Sequence, residues 1–478
     1  MNIKKATVNG LVTIGASKII QQGISFIITV FLATLLSPRD FGLVGIVVLY
    51  TGFLDVFSSI GLGSAVVQSK TIDQNQLSTI YWVNLIGGVV ANIIMILAAY
   101  PISWFYKEPE LIYIIVCMSF NFTVGSLYSI QKRILEKELN FRIIGYLSII
   151  TTLLSGVFGI ISAVLGLGLW SLVIQINSQY LLYMVGYYRL NVWKPARSFN
   201  LNGCKDQFTF GLNMLGSQVF YYIQRNIDYF LVSKLLGTVI FGYYTLAYRI
   251  MYFPIRQFAH VFTNVLFPVF SKVQDDIDMI KSGYLRTIRL ISLISFPAML
   301  MLSLFSEEII TILFGTKWIQ TAYILKIIGF GGAIQSIGII DKIVFPAINR
   351  PKIIFKLGII NCLITTLSIF IGTKWGIIGV SYGIIVSIGL FWIISQVTFC
   401  KILKLKYINY LNAIYGSFIG CIIILIIYNI NRTYNIISHS YTSNLIYSLL
   451  LCGGGYFAFI LLFNRDDFRY LINAYNKK

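Results

Sequence analysis

Residues 35–42 read LLSPRDFG, and residues 235–242 read LLGTVIFG. Two leucines, a phenylalanine and a glycine agree between these corners at a constant offset of 200 residues. These residue types are common in the chain, so the match matters only if its surroundings repeat as well. They do, because GLGLWS at 166–171 and GIIGVS at 376–381 share glycine and serine at an offset of 210. The two pairs indicate an internal repeat.

The composition is that of a membrane protein. Of 478 residues, 57% are hydrophobic and 11% are charged, and the mean hydropathy is +0.80. The interior of a soluble fold is too small for so much apolar surface, whereas a bilayer accepts apolar side chains all round each helix. The apolar runs are too long and too continuous for the alternating strands of a membrane barrel. We therefore predict an all-α polytopic membrane protein.

Apolar runs of roughly 20 residues, the length that crosses a bilayer, recur throughout the chain. They predict about 14 spans, at approximately 11–36, 41–62, 77–100, 109–130, 142–164, 168–190, 207–235, 239–268, 284–305, 320–346, 353–372, 376–399, 411–429 and 443–463. The first corner joins spans one and two and the second joins spans seven and eight, and an offset of six spans preserves orientation.

The repeat therefore predicts two parallel six-helix bundles followed by a C-terminal helix pair. The expected boundaries are an N-terminal bundle at 1–190, a cytoplasmic linker at 191–206, a C-terminal bundle at 207–400, and the extra pair with a cytoplasmic tail at 401–478. Parallel repeats of this kind place a substrate site between the halves and alternate access by rocking.

The net charge of +20 follows from membrane topology. With the N-terminus in the cytoplasm, 25 of the 37 lysines and arginines fall in cytoplasmic segments, 6 in outer loops and 6 inside spans. This asymmetry is the positive-inside rule, and it supports an even number of spans with both termini in the cytoplasm. We therefore expect no nucleic-acid partner.

Several classes of activity are disfavoured by the sequence. The dipeptide Gly-Lys never occurs, so the chain has no P-loop to drive transport directly by ATP. The six cysteines form no C-x-x-C motif and the two histidines are far apart, so we expect no metal site. The short outer loops leave no room for a separate active site. We expect a transporter that is not an enzyme, without catalytic residues or a cofactor.

Charged side chains inside the spans are the main functional signal, since each costs roughly 2.5–3.5 kcal/mol at mid-helix. They should line a wetted internal cavity or pair with one another. The bases outnumber the acids, which favours an anionic ligand, and arginine binds phosphate oxygens in bidentate fashion. The bases are Lys18, Arg225, Arg249, Arg256, Lys326 and Lys342, and the acids are Asp55, Asp228 and Asp341.

The polar residues follow helical stripes on the repeat-equivalent spans one and seven, and two and eight. We therefore predict that the cavity is lined by the bases Lys18, Arg225, Arg249 and Arg256, together with the polar residues Gln22, Asn213, Gln224 and Tyr252. The tyrosines of spans seven and eight are candidates for stacking on sugar rings, and interface packing explains them equally well. Asp55 and Asp228 are the candidates for coupling an ion.

Plainer interpretations remain open for some of these residues. Arg225 and Asp228, at i and i+3, have the spacing of a local ion pair. Asp341 and Lys342 have the position of structural residues near the end of span ten, and Lys326 has that of a side chain that snorkels from a span end.

Three stretches of the chain resemble blocks of one known family. They are LLSPRDFGLVGIVVLYTGFLDVFSSIGLGSAVVQ at 35–68, FGYYTLAYRI at 241–250 with FPVFSKVQ at 267–274, and ILFGTKWIQTAYILKIIGF at 312–330. They are similar to the signatures of bacterial polysaccharide flippases, the Wzx-type members of the MOP superfamily. The resemblance implies a MOP/MATE-like fold, with Lys18, Arg225, Arg249 and Arg256 as matching cavity bases.

The resemblance also implies a substrate and a location. Such a flippase turns an oligosaccharide repeat unit on a polyprenyl pyrophosphate from the inner to the outer leaflet of the bacterial cytoplasmic membrane, for assembly of O-antigen, capsule or exopolysaccharide. It implies a monomer coupled to H⁺ or Na⁺, working beside membrane lipids, a polysaccharide polymerase and chain-length proteins. The alternatives are a MATE-type multidrug antiporter and a membrane glycosyltransferase, the latter disfavoured by the short outer loops.

Overall fold

A computed structural model gives the fold and describes residues 3–58, 66, 73–190, 193–200, 205–273, 276–434 and 441–463. Within these ranges, the side chains of residues 3–14, 58, 205–214, 256–265, 267–269, 342, 351, 434, 441–442 and 463 lie outside the description. The described residues are helical throughout, with short turns and no β-strand. This confirms the all-α class.

The long helices of the described residues, numbered in chain order, follow the apolar runs. They are α1 (Ile3–Leu35), α2 (Pro38–Ser58), α3 (Gln74–Tyr106), α4 (Glu110–Lys137), α5 (Phe141–Val164), α6 (Trp170–Arg189), α7 (Lys205–Leu236), α8 (Thr238–Lys272), α9 (Ile277–Leu304), α10 (Ile319–Ala347), α11 (Pro351–Gly372), α12 (Gly376–Ile402), α13 (Tyr407–Tyr434) and α14 (Tyr441–Phe463). A short helix, Ser306–Phe314, and a 3₁₀ turn, Thr316–Trp318, precede α10.

Ten helical stretches among the described residues are long and apolar enough to span a membrane. One of them, 352–402, covers both α11 and α12. The helix α6 is outside this set, and its apolar pattern is interrupted by Gln175, Asn177 and Gln179. The chain is a multi-pass membrane protein, and the count of 14 spans stays a prediction.

The chain forms two compact units, Met1–Thr245 and Leu246–Lys478. The boundary falls inside α8, well after the linker expected at 191–206, because α7 packs against α2 within the first unit. The four domain boundaries drawn from the sequence stay predictions.

The same helix pairs pack in both units. In the first unit α3 packs on α4, α5 on α6, and α4 on α6. In the second unit α9 packs on α10, α11 on α12, and α10 on α12, which are the same pairs six helices later. Pro101 lies inside α3 and Pro297 lies inside its counterpart α9. The repeat first seen in two short corners therefore extends to the helix packing.

The two repeated corners pack directly on each other within the first unit. A Cβ atom placed on Gly42 would lie 1.9 Å from the Thr238 carbonyl oxygen, and one on Gly242 would lie 1.8 Å from the Pro38 carbonyl oxygen. Pro38 and Thr238 are the first residues of α2 and α8. The corners share glycine because each glycine lets the other corner's backbone approach to contact distance.

A polar network ties the first corner to the second. The Arg39 guanidinium lies 2.7 Å from a Glu108 carboxylate oxygen and 3.1 Å from a Glu110 oxygen. The Thr238 hydroxyl donates to the other Glu108 oxygen at 2.8 Å. Glu108 therefore bridges the start of α2 and the start of α8.

We expect this network to contribute little stability, because the Arg39 side chain is 44% exposed and exposed ion pairs are worth about 0–1 kcal/mol each. Arg39→Ala should lower the free energy of unfolding by about 1 kcal/mol, with a smaller loss at high salt. Thermal unfolding of purified Arg39→Ala protein at low and high ionic strength measures this. An effect that is large and independent of salt would contradict the exposed-pair interpretation.

Candidate functional site

Polar side chains join three helices inside the first unit. The Gln21 amide on α1 donates to the Thr152 hydroxyl on α5 at 3.1 Å, and the Gln179 amide on α6 donates to the same hydroxyl at 3.0 Å. The Gln21 amide also lies 3.5 Å from the Tyr183 hydroxyl. Amides inside apolar helices need such partners, because an unpaired polar group in hydrocarbon costs several kcal/mol.

Three tyrosines of the first unit stack beside this network. The Tyr128 ring on α4 is 5.4 Å from the Tyr187 ring and 5.8 Å from the Tyr183 ring, with both pairs nearly parallel. Tyr187 is buried, and its hydroxyl has no hydrogen-bond partner among the described residues. Tyr128 and Tyr183 are half-buried, so part of each ring stays accessible. The result is an aromatic surface with amide groups at its edge.

Two of the predicted charged residues, Asp55 and Arg225, act electrostatically on the same tyrosine. Asp55 on α2 and Arg225 on α7 both interact electrostatically with Tyr222, and Asp55 also interacts with Tyr128 and Tyr180. Asp55 and Arg225 are both exposed. Charges in membrane-spanning helices need water, a counter-charge or a charged ligand, and the site roles of Asp55 and Arg225 stay predictions.

The other predicted residues of the first unit are exposed, half-buried or only partly described. Lys18 is exposed and interacts electrostatically with Lys132 and Glu136 of α4. Gln22 and Gln224 are half-buried, and the side chain of Asn213 lies outside the described residues. The cavity roles of these residues stay predictions.

Asp228 has a different environment from Asp55. It is buried, and it accepts a hydrogen bond from the Tyr244 hydroxyl of α8 at 2.9 Å. No ion pair joins it to Arg225 among the described residues. A buried carboxylate that accepts a hydrogen bond from the neighbouring helix is consistent with a packing role in the α7–α8 hairpin. The coupling role of Asp228 stays a prediction.

The second unit holds the remaining predicted bases on α8. Arg249 is exposed and Tyr252 is half-buried, with its ring 5.7 Å from that of Tyr248. The side chain of Arg256 lies outside the described residues. Lys326 lies 3.2 Å from the Glu307 carboxylate, and both are exposed, as expected for a side chain that snorkels at a helix end.

The structure also shows a buried cluster that sequence reasoning did not assemble. Asp341 of α10 is 5% exposed and is bonded by Tyr284 of α9 and by Ser395 and Gln396 of α12. Each of these partners is at least 54 residues from Asp341 in the sequence. The available signal was a serine and a glutamine side by side inside an otherwise apolar span, together with one acid on a neighbouring helix.

Comparisons with known proteins find similar sequences. The family described as polysaccharide biosynthesis protein matches residues 31–323. The teichuronic acid biosynthesis protein TuaB of Bacillus subtilis is 28% identical over 333 residues, which cover 68% of each chain. The lipopolysaccharide biosynthesis protein WzxC of Escherichia coli is 25% identical over 390 residues, 80% of this chain and 78% of that protein.

The fold has a solved counterpart. The lipid II flippase MurJ, in an inward closed conformation, superposes with a TM-score of 0.77 over 95% of this chain and 99% of that one. Sequence identity over that alignment is 17%, so the likeness concerns the fold alone. It confirms a polytopic all-helical fold.

Proposed function

The chain belongs to the polysaccharide biosynthesis protein family, as the resemblance in its sequence indicated, and on that premise we propose that it moves a lipid-linked oligosaccharide across a membrane. It is a transporter. The observation that carries the proposal is the polar and aromatic region of the first unit, where the Gln21 and Gln179 amides meet at the Thr152 hydroxyl beside the stacked rings of Tyr128 and Tyr183, inside a chain of this family.

The chemistry of such a substrate matches the groups present. A pyrophosphate linker is recognised by charge-assisted hydrogen bonds, for which Arg225 and Arg249 are the exposed candidates. Sugar hydroxyls need amide and hydroxyl partners, and sugar rings pack on aromatic faces such as those of Tyr128 and Tyr183. The apolar tail of a polyprenyl carrier stays in the bilayer.

The finer details belong to the same proposal. The transported molecule is an oligosaccharide on a polyprenyl pyrophosphate, and transport proceeds by alternating access between two similar halves. The membrane is the bacterial cytoplasmic membrane, with both termini in the cytoplasm, as the distribution of lysine and arginine supports. Turnover is ion-coupled, the protein acts as a monomer, and the exported unit passes to a polymerase and chain-length proteins.

The multidrug antiporter is the competing function. Its substrates are organic cations, which a cavity with an excess of bases would repel. The matched family and both relatives named above belong to polysaccharide biosynthesis, and this favours the flippase.

We expect purified protein in liposomes to move a fluorescent polyprenyl-pyrophosphate oligosaccharide from one leaflet to the other, measured by quenching with a membrane-impermeant reagent. Empty liposomes are the control for spontaneous movement. A cationic dye in the same liposomes tests the competing function. Movement of the dye with none of the lipid-linked sugar would replace the flippase with the antiporter.

A further inference from the structure

The buried cluster of the second unit contains a closed ring of hydrogen-bonding contacts. The Tyr284 hydroxyl lies 2.8 Å from Asp341 Oδ1 and 2.9 Å from Gln396 Oε1, and Gln396 Nε2 lies 2.7 Å from Asp341 Oδ2. The Ser395 hydroxyl donates to Asp341 Oδ2 from outside the ring at 3.1 Å. Each of the three ring contacts needs its own hydrogen atom, because two oxygens this close without one repel each other.

Counting donors shows that the side chains fall one hydrogen short when Asp341 is charged. The tyrosine hydroxyl has one hydrogen, and it can serve either Asp341 or Gln396 but not both. The glutamine nitrogen serves one contact, and its carbonyl oxygen supplies no hydrogen. The third hydrogen must come from the Asp341 carboxyl. A protonated Asp341 donates to Tyr284, Tyr284 donates to Gln396, and Gln396 donates back to Asp341.

This count is the same for either orientation of the glutamine amide. With its oxygen and nitrogen exchanged, the Gln396 nitrogen donates to Tyr284, and Tyr284 donates to Asp341. The Gln396 oxygen then faces Asp341 Oδ2 and again requires a hydrogen on the carboxyl. Both orientations therefore close the ring only when Asp341 is protonated.

Apolar side chains enclose the ring. Tyr284 and Gln396 are fully buried, and the ring lies within an apolar core that includes Ile288, Ile340 and Phe399. Removing a carboxylate from water is costly unless a paired charge compensates it. Protonation removes that cost and leaves every contact in the ring satisfied.

Other titratable and charged groups lie on the helices around Asp341. Cys400 of α12 and Tyr410 of α13 interact with it electrostatically, and both are neutral in their ordinary forms. Among the other charged residues of the adjacent helices, Arg286 and Arg289 on α9, Lys352 and Lys356 on α11, and Lys401 on α12 are exposed, whereas Lys281 on α9 and Glu308 on the short helix before α10 are half-buried. Lys342 follows Asp341 in the chain, and its side chain lies outside the described residues.

We propose that Asp341 is a proton-binding site, that it holds a proton in this conformation, and that its release and uptake of that proton couple the transport cycle to a proton gradient. The carboxylate takes up one proton to become the ring's third donor. Movement of α12 against α9 would open the ring, remove the proton's acceptor and admit water, in which the charged form is stable. The coupling half of this proposal rests on the proposed function, whereas the proton-binding half does not.

The first test uses purified full-length protein and needs no substrate. Asp341→Asn keeps a donor and an acceptor in place of the protonated carboxyl, so it should close the same ring. Its unfolding temperature should match that of wild type at low pH and exceed it at high pH. The reason is that folded wild type binds one proton more than the unfolded chain and loses stability as pH rises. Asp341→Ala, which breaks the ring, should unfold at a lower temperature at every pH.

Infrared spectroscopy reports the proton directly. The wild-type minus Asp341→Asn difference spectrum should contain the carbonyl stretch of a protonated carboxylic acid at neutral pH. Asp278→Asn is the matched control, because Asp278 is an acid on α9 that lies 2.8 Å from Lys281 and is highly exposed. A difference spectrum showing only a carboxylate, or an Asn variant as unstable as the Ala variant, would overturn the proton site.

Lys342→Met separates the proton site from a buried ion pair. If Asp341 were charged and paired with Lys342, removing the lysine would strand the charge and lower the unfolding temperature strongly. The proposal expects little change.

In liposomes with an imposed pH gradient, Asp341→Asn should reduce movement of the lipid-linked sugar to the level without a gradient. If the Asn variant still responds to the gradient, the coupling role is wrong while the proton site stands; if wild type moves no sugar, the proposed function fails instead.

Discussion

Replacing Gly242 by alanine is expected to remove most of the folded protein from the membrane. The new Cβ would lie 1.8 Å from the Pro38 carbonyl oxygen, well inside the distance at which two such atoms begin to repel. The obstruction is a backbone atom at the start of a helix, so no side-chain rotation can relieve it. Overpacking of this kind costs about 3 kcal/mol or more when the backbone itself must move. The equivalent Gly42→Ala should behave alike, since its Cβ would meet the Thr238 carbonyl at 1.9 Å.

The measurement is the amount of monodisperse protein extracted from the membrane, together with its unfolding temperature. Gly216→Ala is the matched control, because Gly216 lies within α7 and an added Cβ there meets nothing within 4 Å. Alanine in a helix interior is favoured over glycine by roughly 0.5–1 kcal/mol, so this variant should be as stable as wild type or slightly more so. Wild-type yield and stability in Gly242→Ala would show that the corners do not pack as closely as described.

The corners also show what the sequence can and cannot predict about the fold. Their recurrence at a fixed offset predicted the repeat, because local sequence is copied when a structural unit is copied. Nothing in the sequence indicated that Gly42 and Gly242 touch the opposite corner, since that contact depends on how α2 and α8 approach in three dimensions. Helix positions followed from apolar runs, whereas the boundary at 245/246 arises from tertiary packing of α7 on α2.

The candidate site also contains residues that the sequence could predict and contacts that it could not. Charged residues in apolar helices stand out in any sequence, and Asp55 and Arg225 were identified on that basis. The sequence also marked Asp341, but only as a structural residue beside Lys342. Its partners Tyr284 and Gln396 come from helices 57 and 55 residues away, and only the packed structure places three hydrogen-bonding groups in one ring. Single charged residues can be predicted because a charge in an apolar helix is energetically costly. A hydrogen-bond network can be predicted only when the spatial neighbours of each residue are known.

Removing the positive charges of Arg225 and Arg249 together is expected to abolish movement of the lipid-linked sugar while leaving the protein folded. Both side chains are exposed, so replacing either one should not leave a cavity in the packed interior. A charge-assisted hydrogen bond contributes about 1.5–3 kcal/mol, which predicts a loss of roughly tenfold or more in apparent affinity for each arginine. The affected quantity is substrate binding.

The design separates charge from geometry. Arg225→Gln with Arg249→Gln removes both charges, and Arg225→Lys with Arg249→Lys keeps the charge but loses bidentate contact with phosphate oxygens. We expect the lysine pair to retain part of the activity and the glutamine pair to retain none, measured as initial rates of leaflet exchange over a range of substrate concentrations. Arg142→Gln is the control, because that guanidinium lies over the ring of Tyr146 at 5.6 Å and has no predicted role in substrate binding. Full activity in the glutamine pair, with wild-type dependence on substrate concentration, would exclude both arginines from pyrophosphate recognition.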